Sequence, residues 1–322
     1  VHTVERVASP GAYLVDTFPS LMMLPTFLAP FKKELKTLHQ IELNLFRELL
    51  ENVRSKLSSG NAPKCWERTF IEDKEKFALS EDEGAYVIGT LYEAGSSTTA
   101  AAMMNVILCL LHYPKWQVKL QEEVDRVVGE ERLPLFEDME NLPVVRSVVK
   151  EALRWRPVTA GGLPHQVDKD DVYDGVFFPK GTNVHPNQWA IHREEALYPD
   201  SETFNPERWL SPSFPTYREP LSVYPNLQNF SAFGFGRRFC PGVNIAERSL
   251  NILTARIAWA CHISKKKDED GRDIDVPWYD YSAGFNVQPN WFPFALRPRK
   301  GRDVIVDQCW AKEQRNDSMV NL

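Results

Sequence analysis

Residues 84–111 restrict the fold of this chain more than any other stretch, because Glu93 is their only charged residue. The stretch follows Ser80-Glu-Asp-Glu83, a capping-box pattern that marks the start of a helix, and Pro114 marks its end. A helix of roughly 30 residues would be about 45 Å long at 1.5 Å per residue. Placing the polar side chains of its middle, Glu93-Ala-Gly-Ser-Ser-Thr-Thr99, in the hydrocarbon core of a membrane would cost free energy. We therefore predict a buried central helix rather than a membrane span.

The composition is that of an ordinary globular protein and excludes several other classes. Apolar residues make up 43% and charged residues 25% of the 322 residues, close to the average for globular domains. The 38 Lys and Arg against 44 Asp and Glu give a net charge of −6, which argues against a nucleic-acid partner. The five cysteines are scattered and form no CxxC pair, which argues against a zinc knuckle and indicates a reducing compartment.

Hydrophobic periodicity and end signals predict further helices along the chain. They are expected over residues 31–56, over 115–128 with Gly129 as the stop, from Pro143 to just before Pro157, and from about 243 to 260. Residues 10–31 should form short helical pieces and turns, with an apolar group that either packs on the core or contacts a membrane or ligand entrance. Residues 58–76 are polar and are predicted to form a loop.

The strand signals are weaker and more local. Asp174-Gly175 lies between β-forming residues and predicts a hairpin over residues 172–178. Residues 199–232 are rich in Pro and Asn and predict a long coil of the kind that is usually functional. The chain beyond residue 260 is expected to contain short strands and turns. The fold class is therefore predicted to be mainly α with a small β-sheet region.

The sharpest chemical feature is the segment Phe233-Gly-Phe-Gly-Arg-Arg-Phe-Cys-Pro-Gly242. Gly234 and Gly236 allow a tight backbone turn and a close approach to a flat partner. Cys240 precedes a predicted helix, and both a helix N-terminus and the nearby Arg238 favour a negatively charged sulfur. Such a thiolate could be a nucleophile, a redox thiol or a metal ligand. A buried, inert cysteine is the alternative.

This segment resembles the haem-binding signature FxxGxRxCxG of the cytochrome P450 family at every fixed position. Three further landmarks of that family occur in the same order as in its members. They are Glu151-Ala-Leu-Arg154 for ExxR, Pro206-Glu-Arg-Trp209 for the PERF-type motif, and Ala94-Gly-Ser-Ser-Thr-Thr99 for AGx(D/E)TT. The resemblance extends from about residue 10 to residue 300 and is closest to the microsomal-type enzymes of filamentous fungi. It implies the C-terminal part of the P450 fold, with the long central helix over a haem pocket.

The resemblance assigns the residues on the thiolate side of a haem b cofactor. Cys240 would be the iron ligand, within a loop that includes Phe233 and Gly234. Arg238 and His165 are similar to the family's partners of the haem propionates. A surface histidine without such a role is the alternative for His165. The ExxR pair and Arg208 would form a buried charge network with a structural role.

The resemblance also assigns the oxygen-binding side and the substrate contacts. Gly95 would leave room for dioxygen, and Thr98 would hydrogen-bond the bound oxygen. Ser97 stands where the family more often carries an acid, and a serine can orient a water but cannot shuttle a proton as a carboxylate does. Thr98 and Ser97 are the candidate catalytic residues. Substrate contacts are expected from residues 158–162 and 284–287, for which ordinary loop packing is the alternative.

The implied function is a haem-thiolate monooxygenase that inserts one oxygen atom of O2 into a small organic substrate, in fungal secondary metabolism or detoxification. Electrons would come from NADPH through NADPH–cytochrome P450 reductase, because the sequence has neither GxGxxG nor a Walker A motif. The alternatives are a haem-thiolate isomerase or dehydratase, which needs no reductase, and a non-catalytic fragment.

The resemblance finally bears on completeness and location. Family members are longer and begin with a membrane anchor, so we expect residues 1–322 to be a single P450 domain that is incomplete at its N-terminus. The expected location is the cytosolic face of the endoplasmic reticulum membrane. Membrane contact would come from the missing anchor and from residues 18–31.

Overall fold

Helices form most of the structure in a computed structural model that describes residues 6–9, 11–218 and 227–320. The fold divides into two compact units, Val1–Thr98 and Thr99–Leu322, with the boundary inside one long helix. The helices up to that one are α1 (Leu14–Thr17), α2 (Pro30–Ser58), α3 (Trp66–Glu72), α4 (Lys74–Phe77) and α5 (Glu81–His112). The helices after it are α6 (Pro114–Val128), α7 (Pro143–Trp155), α8 (Gln188–Ile191), α9 (Glu207–Leu210), α10 (Val243–Ala260) and α11 (Arg302–Val320).

The described strands form three antiparallel pairs, all in the second unit. The strands are β1 (His165–Gln166), β2 (Asp171–Tyr173), β3 (Val176–Phe178), β4 (Asn183–Val184), β5 (Cys261–Lys265) and β6 (Phe294–Pro298). β1 pairs with β4, β2 with β3, and β5 with β6 in a register that sets Cys261 opposite Pro298. The predicted hairpin at Asp174-Gly175 is confirmed, and both turn residues have the positive φ that this turn requires, 48° and 77°.

Helix α5 has the length and the capping box that the sequence predicts. The Ser80 hydroxyl accepts a hydrogen bond from the Glu83 backbone N–H at 3.3 Å, and the Glu83 carboxylate accepts one from the Ser80 N–H at 2.8 Å. In the described part of the chain, α5 alone is long and apolar enough to cross a membrane, and 56% of its most apolar window is buried within the fold. Core helices pass the same test, so length and composition are weak evidence for a span.

In the first unit, α2 packs antiparallel to the first half of α5. The Arg47 guanidinium of α2 donates two hydrogen bonds of 2.8 Å to the Asp82 carboxylate. Arg54, farther along α2, contacts Glu81. The buried core between the helices consists of Phe46, Leu50, Phe70 and Ala85. Phe70 lies on α3, so the prediction of a loop over residues 58–76 was wrong for α3 and α4. Phe70 is the buried residue of α3, and Ile71 packs against the same core, so their burial stabilises this short helix.

The apolar group in residues 18–28 is not packed into a core in this structure. Met23 is 88% exposed and Phe27 is 84% exposed, although they lie in the short helical turns Pro19–Met23 and Thr26–Leu28, respectively. The expectation of short helical pieces is confirmed. Packing on the core, one of the two interpretations of this group, is not what the structure shows.

In the second unit, α6, α7 and α10 pack around a large core with the second half of α5. Its bulkiest fully buried members are Trp116, Trp155 and Trp259. The predicted bounds of α6, α7 and α10 agree closely with the structure, and Gly129 ends α6 with a φ of 77°.

The prediction of only short strands and turns beyond residue 260 was wrong, because residues 302–320 form α11. Arg302 at its start is buried and donates hydrogen bonds to the Gly129 carbonyl at 3.1 Å and to Asp125 at 3.0 Å. The same guanidinium lies 4.3 Å from the centre of the Trp259 ring. These anchors come from distant parts of the chain, so the local sequence gave no sign of them.

Candidate functional site

The loop before α10 holds Cys240 at a fixed place in the second unit. The Cys240 backbone N–H donates to the Phe233 carbonyl at 2.8 Å and so closes the loop between those two residues. Gly234 and Gly236 have φ values of 85° and 57°, a conformation in which a side chain would be strained. The Cys240 thiol is half-buried and is not in a disulfide. The sequence therefore folds into a tight loop that presents one thiol just before a helix N-terminus.

Arg238 and His165, the predicted propionate partners, lie in the same unit as this loop. Arg238 is exposed at the end of the single helical turn Gly236–Arg238. His165 is half-buried in β1, where it pairs with Val184 of β4. Both side chains are thus accessible to a ligand, and Arg238 belongs to the loop that carries Cys240.

A buried charge network ties the long coil to α7. The Arg154 guanidinium donates two hydrogen bonds to the Glu151 carboxylate, of 2.8 and 2.9 Å. Arg208 of α9 donates to the same carboxylate at 3.3 Å, and all three side chains are fully buried. The network that the sequence predicted is confirmed, and it joins positions 57 residues apart.

The Glu151 carboxylate also accepts hydrogen bonds that the sequence did not predict. The Asn205 backbone N–H donates at 2.9 Å and the Trp209 indole N–H at 3.1 Å. Arg154 in turn donates to the His192 carbonyl at 2.9 Å and to the Thr203 carbonyl at 3.3 Å. These hydrogen bonds compensate the Glu151 carboxylate for the loss of water in the protein interior. The one sign of these contacts in the sequence is that Trp209 directly follows Arg208 in the motif.

His192 is a further buried residue whose position was missed. Its ring is stacked on Phe230 at a centroid distance of 5.2 Å, and its Nε2 lies 2.9 Å from the Ser231 hydroxyl. Burial and the nearby Arg154 charge lower the pKa of His192 to about 3. A neutral imidazole here links the segment before α9 to the residues that enter the Cys240 loop.

The predicted oxygen-binding residues lie on α5 near the end of the first unit. The Thr98 hydroxyl donates to the Ala94 carbonyl at 2.9 Å, a bond that competes with the helix ladder and favours a bend. A Cβ built on Gly95 would meet no atom of the described residues within 4 Å. Ser97 and Thr98 are half-buried. The helix thus has open space at Gly95, next to two hydroxyl-bearing side chains.

The two predicted substrate segments of the second unit contact each other. The Thr159 hydroxyl donates to the Asn286 side-chain oxygen at 2.8 Å. The Val287 backbone N–H donates to the Val158 carbonyl at 2.7 Å. Segments that are 127 residues apart in sequence are therefore held side by side.

Comparison with known proteins identifies the family. The family model described as Cytochrome P450 matches residues 1–289. The chain therefore belongs to the cytochrome P450 family, whose cofactor is haem b.

Curated relatives of this chain come from fungi. Cytochrome P450 monooxygenase psoD of Aspergillus fumigatus is 39% identical over 82% of this chain and 51% of its own length. Cytochrome P450 monooxygenase 113 of Postia placenta is 41% identical over 91% of this chain and 56% of its own length. Cytochrome P450 monooxygenase verL of Clonostachys rogersoniana is 37% identical over 98% of this chain and 58% of its own length. The chain thus spans about half the length of these relatives.

A solved structure shares the fold. A zebrafish cytochrome P450 in a structure with abiraterone superposes with a TM-score of 0.57 and 31% sequence identity. The alignment covers 69% of this chain and 50% of that one. The predicted mainly helical P450 fold is confirmed.

The residues around Cys240 fit a haem. The only sulfur donor in the loop is a single accessible thiol, and Gly234 and Gly236 leave the backbone bare beside it. In the described part of the chain, no group of three or more His, Cys, Asp or Glu side chains is arranged to hold a metal ion. A single thiolate with a nearby cation suits an iron that is already held by a porphyrin.

Proposed function

We propose that the whole protein is a haem-thiolate monooxygenase that inserts one oxygen atom of O2 into a small organic substrate. The observation that carries this proposal is the Cys240 thiol, presented by a glycine-turned loop at the start of α10. When bound, thiolate-ligated haem supplies an oxidant that can attack C–H bonds. The fungal relatives named as monooxygenases support the same activity.

Each group of residues has a separate task in this proposal. Cys240 holds the iron, with Phe233 and Gly234 shaping its loop. Arg238 and His165 bind the propionate charges. The Glu151–Arg154–Arg208 network keeps the coil that precedes the loop in place.

The remaining tasks concern oxygen and substrate. Gly95 leaves space for dioxygen. The Thr98 hydroxyl, which donates to the Ala94 carbonyl in this structure, would turn to donate a hydrogen bond to the oxygen. Residues 158–162 and 284–287 contact the substrate, and the Thr159–Asn286 bond fixes their spacing.

We propose NADPH–cytochrome P450 reductase as the electron donor and the cytosolic face of the endoplasmic reticulum membrane as the location. The exposed apolar side chains of residues 18–28 support a membrane contact there. Fungal secondary metabolism or detoxification is the proposed setting. We propose further that residues 1–322 belong to one P450 domain.

The test is the absorption spectrum of the reduced, carbon monoxide-bound protein, followed by product analysis with the reductase. Cys240→Ala should abolish the thiolate-type spectrum, because the loop offers no other sulfur. Cys261→Ala is the matched control, since Cys261 lies in β5, and its spectrum should be unchanged. A thiolate spectrum that survives in Cys240→Ala would overturn the assignment. Substrate turnover that needs neither NADPH nor reductase would instead support a haem-thiolate isomerase or dehydratase, which the serine at position 97 allows.

A further inference from the structure

Asn105 is a buried polar residue in the most apolar part of α5. It is 1% exposed, and the residues that follow it, 106–111, are all apolar and buried. An apolar side chain would suit this position better if the helix served packing alone. Asparagine forms helices less readily than leucine, and a buried amide must find hydrogen-bond partners. The partners of the Asn105 amide therefore indicate why a polar group lies there.

The Asn105 amide connects two other parts of the second unit. Its Nδ2 donates to the Arg156 carbonyl at 3.0 Å, and its Oδ1 accepts a hydrogen bond from the Tyr281 hydroxyl at 2.7 Å. A carbonyl can only accept, so the side of the amide that faces Arg156 must be the nitrogen. The Tyr281 hydroxyl must then be a donor. The partners thus fix both the orientation of the amide and the role of each group.

The Arg156 carbonyl lies just before the first substrate segment, residues 158–162. Helix α7 ends at Trp155, and Pro157 disfavours its continuation. The last carbonyls of a helix have no partner within the helix, and Asn105 supplies one at Arg156. The amide therefore holds the chain where it leaves α7 and enters the first substrate segment.

Tyr281 lies at the base of a hairpin whose tip is the second substrate segment, residues 284–287. Its backbone is bridged to that of Pro289, and the Ser282 backbone N–H donates to the Gln288 carbonyl at 2.9 Å. These contacts close the hairpin below its tip. Burial raises the pKa of the Tyr281 phenol well above its usual range, so the hydroxyl keeps its proton and remains a donor.

The hairpin is attached to the core mainly at its ends. Val276 before it and Phe292 after it are buried in the core of the second unit. Of residues 277–291, all of which the structure describes, Pro289 alone is buried. Packing therefore fixes little of the hairpin, and its position depends on individual hydrogen bonds.

The tip of the hairpin contacts the first substrate segment directly. The Val287 backbone N–H donates to the Val158 carbonyl at 2.7 Å, and the Thr159 hydroxyl donates to Asn286 at 2.8 Å. These two bonds join the segments to each other, whereas Asn105 joins both of them to α5. One buried side chain is thus shared by the two segments that the proposed function assigns to the substrate.

We propose that Asn105 is a positioning residue that sets the spacing of the two substrate segments and thereby the size of ligand that the protein selects. It acts through Arg156 and Tyr281, which hold one end of each segment on α5. Loss of either hydrogen bond lets the segments move relative to each other, so the walls fit a bulky ligand less closely. The inference rests on the proposed function, in which residues 158–162 and 284–287 contact the substrate.

The first test needs neither substrate nor turnover. Hydrogen exchange is measured at the Val287 N–H, which bridges the two segments. Tyr281→Phe keeps the ring and removes only the donor to Asn105, and it should speed this exchange about tenfold, the range for one lost hydrogen bond. Tyr279→Phe is the matched control, because it removes a hydroxyl from a side chain that is 63% exposed. It should leave the exchange at Val287 unchanged.

A second amide separates local loosening from general instability. The Ile263 N–H of β5 donates to the Gln117 side chain at 2.6 Å in the core of the same unit. Faster exchange at Val287 alone supports the proposal. Unchanged exchange at Val287 would overturn it. Equal acceleration at Val287 and Ile263 would also overturn it, because the bond would then support folding as a whole rather than the position of the segments.

The second test measures ligand selection by the haem-loaded protein, with imidazole and 4-phenylimidazole as probes. The shift of the haem absorbance gives the Kd of each compound. The two compounds differ by one phenyl group, so the ratio of their Kd values reports how the pocket accommodates that group. Tyr281→Phe and Asn105→Leu should each lower the preference for the phenyl compound several-fold. Tyr279→Phe should leave the preference unchanged.

The outcomes separate this inference from the function on which it rests. Equal preferences in Tyr281→Phe, Asn105→Leu and the wild type would overturn the role of Asn105 in ligand selection. Additive effects in the double variant would contradict a shared connection, because both substitutions break the same one. A wild-type protein that shows neither a thiolate spectrum nor a shift with either compound would instead refute the proposed function. The exchange result would still decide whether Asn105 positions the two segments.

Discussion

Single buried side chains decide how this chain responds to acid, and His192 is the clearest case. Its imidazole is fully buried beside the Arg154 guanidinium, and its Nε2 contacts the Ser231 hydroxyl. A second positive charge there would be both unsolvated and repelled by arginine. Burial therefore keeps the ring neutral in the folded protein and lowers its pKa to about 3.

This pKa predicts a loss of stability below neutral pH. The unfolded chain binds a proton at His192 near pH 6.5, whereas the folded protein does not until about pH 3. The contribution is therefore fully present above pH 6.5 and is lost as the pH falls toward 3. Between pH 7 and pH 5 the loss should be about 2 kcal/mol. Urea unfolding at the two pH values measures it.

The matched variant for this measurement is His192→Gln, which keeps a polar side chain but cannot titrate. Its free energy of unfolding should be lower at pH 7 and should change about 2 kcal/mol less than that of the wild type between pH 7 and pH 5. An identical pH dependence in both proteins would contradict a neutral buried His192.

At the scale of elements, one face of α7 holds the coil between β4 and α10 in place through hydrogen bonds. Glu151 and Arg154 lie three residues apart on that face, and Arg208 with Trp209 arrives from α9. The described residues of this coil form only short helices and turns. Its position therefore depends on charged hydrogen bonds to the helix, and a loss of one partner leaves a buried charge behind.

Glu151→Gln should destabilise the protein by about 3–5 kcal/mol, because it leaves the Arg154 and Arg208 charges buried without their carboxylate. Haem content should fall with it, since the coil leads into the Cys240 loop. Glu202→Gln is the control: Glu202 pairs with Arg193 at 2.5 Å but is 53% exposed, so the cost should be below about 1 kcal/mol. Thermal unfolding and haem absorbance measure both effects. Equal losses in the two variants would refute the special role of the network.

The seam between α2 and α5 depends on glycine where two helices approach. A Cβ added at Gly89 would lie 2.2 Å from the Phe46 ring, too close for any real contact. The same holds at Gly84 with the Phe70 ring, at 2.0 Å. These glycines are thus retained for close packing, although alanine is the better helix former.

Gly89→Ala should therefore destabilise the protein by about 1–3 kcal/mol, the range for overpacked cores, despite alanine's better helix propensity. Adding Phe46→Leu should recover part of that loss, because the smaller side chain makes room for the methyl group. Urea unfolding of the two single variants and the double variant gives the coupling between the sites. Additive losses in the double variant would show that the contact is not the cause.

At the scale of the whole molecule, the family's landmarks are spread over both compact units. The oxygen-binding segment of α5 ends the first unit, and the ExxR helix, the coil and the Cys240 loop belong to the second. The family match stops at residue 289, and α11 lies beyond it. Arg299 and Arg302 hold that helix to Asp125, each with a carboxylate contact.

The sequence by itself determined the parts whose causes are local. Capping at Ser80, a proline or glycine at a helix end, the Asp174-Gly175 turn and the Cys240 loop each depend on residues a few positions apart. The long helix, α6, α7, α10 and the hairpin were therefore predicted with nearly correct bounds. The Glu151–Arg154 pair was predicted for the same reason, since three residues on a helix fix their common face.

Only the tertiary structure decided the features whose partners are distant in sequence. The short helix α3 forms because Phe70 is buried against α5, and α11 begins where Arg302 meets Asp125 and Gly129. The neutral state of His192 likewise depends on burial and on the charge of Arg154 from another element. Local propensity contributes tenths of a kcal/mol per residue, whereas burial of a ring or a charge contributes several times more, so packing outweighs the local signal.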